Sequence, residues 1–202
     1  TKLPVFSLQS ESDMERLFKE QLERLNTDYV DMYLMHGLSA ISWEKGKQIG
    51  LIDFMERIKK EGRARCIGFS YHDNVEPFKK IIDEYNWTFT QIQYNFYDTN
   101  YQAGEEGLNY AYSKGVDVII MEPTRGGMLI KIPVSINQIW DEAHVKRSPA
   151  EWCFQWLWNN SKITSVLSGM SSMEQLTENI KIAENVKPDS LTADEVNLYE
   201  KV

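Results

Sequence analysis

The sequence contains little cysteine and histidine and no long apolar run, and each scarcity excludes a class of protein. Its only cysteines, Cys66 and Cys153, lie in apolar segments, which favours buried free thiols over a disulfide. With three histidines at unrelated spacings, they form no recognisable metal site. No apolar run approaches the roughly 20 residues that cross a bilayer, and the opening TKLPVF lacks a signal-peptide pattern. We therefore expect a soluble, cytoplasmic protein without a metal or a membrane partner.

Positive charge is also scarce, which argues against a nucleic-acid partner. Lysine and arginine number 22 against 30 acidic residues, so the formal net charge is -8, and the basic residues are scattered. Such a chain repels phosphate backbones. The 202 residues, 42% of them hydrophobic, suffice for one sizeable core, and we predict a single domain over residues 1–202.

Six short runs rich in β-branched or aromatic residues predict strands, and helical patterns separate them. The predicted strands are Lys2 to Phe6, Tyr29 to Met35, Ala64 to Phe69, Phe89 to Tyr94, Val116 to Met121 and Ile163 to Leu167. Capping residues and apolar spacing predict helices at 12–25 (capping box Ser12–Glu15), 51–58, 75–85 and 105–114, and from Ser148-Pro149, Ser172 and Thr192 onward. The longest predicted linker is the loop from Gly126 to Ala143.

The alternation of strands and helices predicts a parallel sheet with crossover helices. An open nucleotide-binding sheet usually carries G-x-G-x-x-G after its first strand, and that motif is absent, which favours a closed barrel. Because a barrel of this kind has eight strands, we expect a (β/α)8 TIM barrel lacking roughly its first two β/α units. The chain begins inside a strand, which places the missing units at the N-terminus. We expect association through the unclosed edge or with the missing segment.

Polar and titratable residues gather where the predicted strands end. The first strand finishes near Lys2-Leu3-Pro4, the second leads into His36, and the third leads into Ser70. In a parallel barrel this rim carries the chemistry. Gln91 and Gln93 lie within an apolar strand, and a buried glutamine needs a hydrogen-bond partner, for which the amide of a bound ligand would serve.

The order of these motifs resembles the aldo-keto reductase family over essentially the whole chain. DYVDMYLMHG is similar to the strand that ends in the family's active-site histidine, GFSYHD to its carboxamide-binding turn, and TQIQYN to the next strand. MEPTRGGML resembles the glycine-containing loop, and SVLSGMSSMEQLTENI resembles the last strand and helix. The closest branch is the microbial one with a ferredoxin-like cysteine tail, which is absent here. The resemblance implies hydride transfer from NAD(H) or NADP(H) to a small-molecule aldehyde or ketone.

The resemblance also implies catalytic roles for two residues. Lys2 matches the lysine that lowers the pKa of the family's acid, and His36 matches the histidine that orients the substrate carbonyl. A cation and an imidazole donor beside a carbonyl oxygen would stabilise the developing alkoxide. The family's acid is a tyrosine assisted by an aspartate, both on the segment before Lys2. We therefore expect residues 1–202 alone to be inactive.

Eight further positions correspond to cofactor contacts of the family. Ser70 and Gln91 match the carboxamide contacts, and Met121 stands where the family has an aromatic that stacks on the nicotinamide. The phosphate and adenine end is matched by Gly169, Ser171, Glu178 and Asn179. Where the family has basic residues that clamp a 2′-phosphate, this chain has Ser171, Ser172 and Gln175. Because a phosphate usually needs a guanidinium or ammonium, NAD(H) is expected to bind at least as well as NADP(H).

Other interpretations of these residues remain open. His36 could be a core histidine, and Lys2 a solvated charge near a chain end. His72 and Asp73 could cap the following helix, and Glu122 could be a functional carboxylate or an ion-pair partner of Arg125. The cluster Trp152, Trp156 and Trp158 is expected to serve helix packing.

Two alternative functions also remain. Met121, Tyr71 and the absent 2′-phosphate clamp suggest a catalytically degenerate nucleotide-binding or regulatory barrel. An unrelated barrel lyase or aldolase would instead use Lys2 as a Schiff-base amine.

Overall fold

A computed structural model describes all residues 1–202 and shows six strands and nine helices. None of the helices is long and apolar enough to span a bilayer. In chain order the elements are β1 Lys2–Pro4, α1 Glu11–Leu25, β2 Val30–Leu38, α2 Ala40–Gln48, α3 Leu51–Lys60, β3 Ala64–Tyr71, α4 Val75–Glu84, β4 Phe89–Gln93, α5 Gly104–Ser113, β5 Asp117–Met121, α6 Val134–Trp140, α7 Pro149–Trp158, β6 Ser165–Val166, α8 Met173–Asn185 and α9 Ala193–Lys201.

The strands form one six-stranded sheet in the order β1-β2-β3-β4-β5-β6. Pairs β1–β2, β2–β3 and β3–β4 are parallel, which confirms the predicted architecture of consecutive strands joined by crossover helices. Contacts divide the chain into two compact units, residues 1–92 with 100–119 and residues 93–99 with 120–202. Each unit is described separately below.

In the first unit the strand register aligns side chains in rows across the sheet. Lys2 pairs with Leu34, Leu34 with Gly68, and Gly68 with Phe89. Residues in register on adjacent strands point to the same face, so these four form one row. A Cβ on Gly68 would lie 2.6 Å from both the ring and the carbonyl oxygen of Phe89. Only glycine leaves room for that ring.

The second unit is built around tryptophans, but in separate groups. Trp152 stacks on Trp140 with ring centroids 4.6 Å apart, whereas Trp158 stacks on Phe154 at 5.3 Å. Trp156 packs against Tyr94 at 5.0 Å. The predicted packing role is confirmed, although the three tryptophans of α7 serve different groups.

Two helices were missed by the sequence analysis. Helix α2 carries a glycine and four charged or amide side chains among few apolar ones, so it shows no clear stripe. A Cβ on Gly46 would lie 2.7 Å from the tip of the Leu51 side chain, which would have to shift to make room for it. Helix α6 has only seven residues and lies inside the segment predicted to be a loop. Helices this short give little periodic pattern.

The predicted strand ends and caps are partly corrected. The first strand ends at Pro4 rather than Phe6, because residues Val5–Ser7 form a 3-10 turn. The first helix is capped by Ser10, which accepts from the Asp13 N–H, and not by a Ser12–Glu15 box. Glu15 instead pairs with Arg63 at 2.7 Å. The caps at Ser148, Ser172 and Thr192 are confirmed.

Substitution of Gly68 tests the row directly. We expect Gly68→Ala to destabilise the fold by about 1–3 kcal/mol, because the new methyl overlaps a ring and a backbone atom that cannot move freely. Urea unfolding measures the change. The matched control is Gly169→Ala, where the new Cβ would meet no atom within 4 Å. Equal midpoints for the two variants would show that the row is not tightly packed.

Candidate active site

A β-bulge places His36 at the end of its strand. The pairing of β2 with β3 slips by one residue between Met35 and Leu38. As a result two residues of β2, His36 and Gly37, stand opposite a single residue of β3, Ser70. Gly37 has φ +65°, a backbone conformation that favours glycine, and its N–H donates to Ser70 Oγ at 2.9 Å. The Ser70 hydroxyl thereby fixes the bulge.

Lys2 and His36 are brought together by neighbouring strands. Pro4 pairs with His36 in the register of β1 and β2, and Lys2 lies two residues earlier on the same face of β1. Burial lowers the pKa of the half-buried Lys2 ammonium. Burial, the charge of Lys2 and that of His72 lower the pKa of His36. The site therefore contains a second imidazole, His72, which the sequence analysis regarded only as a possible helix cap.

This arrangement suits a developing negative charge. A neutral imidazole can donate one hydrogen bond, and an ammonium held at reduced pKa supplies positive charge in a partly desolvated setting. The Phe6 ring lies edge-on to His36 at 6.0 Å and leaves much of its own surface exposed.

Ser70 and Gln91 form a buried polar pair at the ends of β3 and β4. They are partners in the strand register, and their side chains are 0% and 4% exposed. Ser70 accepts the bond from Gly37, so its own hydroxyl proton remains available for an acceptor. A buried hydroxyl and amide in register are the groups that would recognise a carboxamide.

Two residues of the GFSYHD turn, Tyr71 and Asp73, have structural roles. Tyr71 is fully buried and its hydroxyl donates to the Asn74 carbonyl at 2.6 Å. Asp73 Oδ2 accepts from the N–H of Ala40, the first residue of α2. Asp73 therefore caps α2 and not the helix that follows it, which begins after Asn74 without a side-chain cap.

In the second unit a cleft of about 670 Å³ collects most of the predicted cofactor residues. Its walls include the Glu122–Gly127 loop, Lys131 and the turn before α8. Six of the residues implied by the resemblance line it: Met121, Gly169, Ser171, Gln175, Glu178 and Asn179.

Hydrogen bonds within the turn and to Ser148 hold the polar side chains of this cleft in place. Gln175 Oε1 accepts from the Ser171 N–H at 2.8 Å, and Asn179 Nδ2 donates to Ser168 Oγ at 3.0 Å. Glu178 accepts from the Ser148 hydroxyl at 2.6 Å. Lys131 is the single basic residue in the lining, against the carboxylates of Glu122 and Glu178.

Of the two alternatives for Glu122, an ion pair with Arg125 is not observed. Arg125 Nε lies 3.1 Å from Asp98 Oδ2, and that carboxylate also accepts from Gln93 Nε2 at 3.2 Å. The buried Asn95 donates to the Glu122 carbonyl at 3.0 Å. The sequence analysis missed Asp98, because nothing in the sequence indicates that the segment after β4 folds back toward Arg125.

Comparison with known proteins identifies the family to which this parallel α/β fold belongs. The family model described as "Aldo/keto reductase family" matches residues 1–200. The chain belongs to the aldo/keto reductase family. This membership sets aside the unrelated lyase.

The chain is similar to curated relatives that are considerably longer. It is 29% identical over 196 residues to the L-galactose dehydrogenase of Arabidopsis thaliana, covering 90% of this chain and 60% of the relative. It is 25% identical over 197 residues to the uncharacterized oxidoreductase YqkF of Bacillus subtilis, covering 86% and 61%. The chain thus spans about 60% of the length of these relatives.

Solved structures show the same fold. The holo form of aldo-keto reductase AKR11C1 from Bacillus halodurans superimposes with a TM-score of 0.81 at 24% identity, covering 100% of this chain and 70% of that one. An aldo-keto reductase from Klebsiella pneumoniae, solved in complex with NADPH, gives 0.76 at 19% identity, covering 99% and 67%. The six strands therefore have the aldo-keto reductase TIM-barrel fold.

Replacement of Lys2 tests the proximity of the three groups. We expect Lys2→Met to raise the pKa of both His36 and His72, because the lysine charge opposes protonation of each. With only three histidines, imidazole NMR titration resolves each one, and His144 in the second unit is the internal control. Unchanged titration of both site histidines would contradict the geometry.

The same shifts predict a loss of stability in acid. A histidine with a lowered pKa in the folded state binds protons less readily than in the unfolded chain. His36 and His72 therefore destabilise the fold as the pH falls below about 6.5, the ordinary histidine value, and the loss ends below their folded pKa values. Urea unfolding across this pH range measures the free energy of unfolding, which should depend less steeply on pH in His36→Gln than in the unmodified protein. An unchanged slope against pH contradicts the assignment.

Proposed function

We propose that the protein transfers hydride from a nicotinamide cofactor to the carbonyl of a small aldehyde or ketone. The observation that carries the proposal is the convergence of Lys2 and His36 on one face of neighbouring strands, where the charge of Lys2 lowers the pKa of His36. The names of relatives agree with it, since one is an L-galactose dehydrogenase and another an uncharacterized oxidoreductase.

Each site residue has a role in this proposal. The neutral His36 imidazole donates to the carbonyl oxygen and orients it. The Lys2 ammonium stabilises the charge that develops and lowers the pKa of the acid. That acid, by family resemblance, is a tyrosine on a segment preceding Lys2. A bound nicotinamide would supply the hydride.

The residues present fit such a cofactor. Ser70 and Gln91 offer a buried hydroxyl and amide that suit a carboxamide, and the hydroxyl proton has no acceptor. The cleft of the second unit suits a phosphate and an adenosine, with Lys131 as its cation. Ser171, Ser172 and Gln175, which stand where the family has its 2′-phosphate clamp, provide no positive charge, so NAD(H) binds at least as well as NADP(H).

Activity measurements test the proposal. The full-length protein should oxidise NADH or NADPH in the presence of simple aldehydes, measured by absorbance. Lys2→Met and His36→Gln should each lower kcat by about 10²- to 10³-fold, because both groups act on the transition state. The control Lys19→Met removes an exposed lysine of α1 and should leave kcat unchanged.

The same assay separates the alternatives. Residues 1–202 expressed alone should show only trace activity, because the acid is absent. Full-rate turnover by this fragment would contradict the assigned roles. A full-length protein that binds the cofactor but reduces no aldehyde would support the degenerate nucleotide-binding barrel.

Cofactor preference is tested by binding. Tryptophan fluorescence should give a dissociation constant for NADH no larger than that for NADPH. Gln175→Arg should tighten NADPH binding about tenfold and leave NADH nearly unchanged, since a guanidinium pairs with the extra phosphate. Clearly tighter NADPH binding by the unmodified protein contradicts the assignment.

We also propose that the outer edge of β1 pairs with a further strand, either from a preceding segment or from a second copy. Edge strands present unpaired backbone groups that favour such pairing. On this edge the Lys2 carbonyl accepts a hydrogen bond only from Gln21 Nε2, at 2.8 Å. Native mass spectrometry of residues 1–202 should show an associated species; a lone 23.6 kDa monomer contradicts the proposal.

A further inference from the structure

The Glu122–Gly127 loop, which follows β5, has an unfavourable backbone conformation beside the cleft of the second unit. Glu122 and Arg125 have φ of +58° and +50°, in the left-handed region that residues other than glycine rarely adopt. Such a conformation is costly and persists only where the surroundings impose it. Thr124 and Gly126 of this loop line the cleft, so the imposed shape is the one that a bound ligand meets.

Asn95, on the segment after β4, holds the loop at its first residue. Asn95 is 0% exposed, and its Nδ2 donates to the Glu122 carbonyl at 3.0 Å. Its Oδ1 accepts from the backbone N–H groups of Tyr97 and Asp98, at 3.1 and 2.8 Å. One buried amide therefore joins the loop to the segment after β4 and fixes the turn that presents Asp98.

Asp98 holds the same loop at Arg125. Arg125 Nε lies 3.1 Å from Asp98 Oδ2, and the guanidinium lies over the Tyr97 ring, 4.6 Å from its centroid. The Asp98 side chain is only 10% exposed, so solvent screens this ion pair less than it would screen a surface pair. Gln93 Nε2 donates to the same carboxylate oxygen at 3.2 Å, which joins Asp98 to the end of β4.

The contacts of Arg125 determine how the loop faces the cleft. Its neighbours Thr124 and Gly126 line the cleft, whereas its guanidinium contacts Asp98. The loop therefore meets a ligand through its backbone and small side chains rather than through the arginine. A small displacement of such a wall would misplace the groups that bind the ligand.

We propose that Asp98 is a positioning residue that, through Arg125, fixes the Glu122–Gly127 loop in the shape that receives the phosphate and adenosine end of the cofactor. The inference rests on the proposed nicotinamide-dependent function and explains how this chain holds one wall of its cofactor cleft. Asp98 acts through the Arg125 guanidinium at one end of the loop, and the Asn95 amide anchors the other end.

Cofactor binding by the full-length protein tests the role of Asp98. Asp98→Asn keeps the size of the side chain and removes its charge, so it should raise the dissociation constants for NADH and NADPH about tenfold, measured by tryptophan fluorescence. At saturating cofactor, kcat for an aldehyde should stay within about twofold, because Asp98 acts on binding rather than on the transition state. The matched control is Glu142→Gln, which removes one charge of an exposed ion pair with Lys201 in the same unit and should leave both dissociation constants unchanged.

Variants of Arg125 separate positioning from a general loss of stability. Arg125→Gln should weaken binding as much as Asp98→Asn, and the double variant should bind no more weakly than either, because both substitutions remove one shared contact. Arg125→Lys keeps the charge and should restore much of the affinity. A merely structural role would lower the urea midpoint of each variant and leave the dissociation constants, measured well below that midpoint, unchanged.

The outcomes separate the inference from the function on which it rests. If the unmodified protein binds cofactor and reduces aldehydes, but Asp98→Asn and Arg125→Gln leave both dissociation constants unchanged, the inference is overturned and the reductase function stands. Tighter NADPH binding by Asp98→Asn also overturns it, because Asp98 would then be withholding Arg125 from the phosphate. If the unmodified protein binds neither cofactor, the proposed function fails and the inference fails with it. Equal losses in the two variants, with binding restored in Arg125→Lys, support the inference.

Discussion

The arrangement of the site depends on one constraint, the parallel register of β1 to β4 with a single slip of one residue. The register sets Lys2, Leu34, Gly68 and Phe89 in one row and brings Ser70 beside Gln91 in the next. The slip falls at the His36–Gly37 position, where a left-handed glycine donates to the serine of the adjacent strand. The register of β1 with β2 is unbroken at this point, since Pro4 pairs with His36, so Lys2 and His36 stay on one face.

The cations that hold the fold differ from the cation assigned to chemistry in what surrounds them. Arg63 pairs with Glu15 in the first unit and Arg125 with Asp98 in the second, so each pair joins separate elements of its own unit. Lys2 is half-buried, and its charge lowers the pKa of the His36 and His72 imidazoles. A partly desolvated ammonium beside an imidazole suits the proposed stabilisation of an alkoxide.

The sequence predicted the order of strands and helices well, because β-branched runs and capping residues such as Ser148 with Pro149 are local features. The prediction failed where contacts between distant segments determine the structure. Helix α2 has no apolar stripe and is fixed by Gly46 against Leu51 and by Asp73 at its N-terminus. The site residues Lys2 and His36 were found through family motifs and strand position. The closeness of His72 to them, and the contact of Arg125 with Asp98, could not be predicted from spacing, since each joins distant segments.

The central claim is that Lys2 and His36 act on one carbonyl oxygen. A crystal structure of the full-length protein with reduced cofactor and an unreactive amide analogue of the substrate measures this directly. The account predicts the amide oxygen about 2.6–3.2 Å from a His36 ring nitrogen, with Lys2 Nζ beside the acid that completes the site. An analogue bound with its oxygen turned away from His36, or a Lys2 side chain extended into solvent, would contradict it.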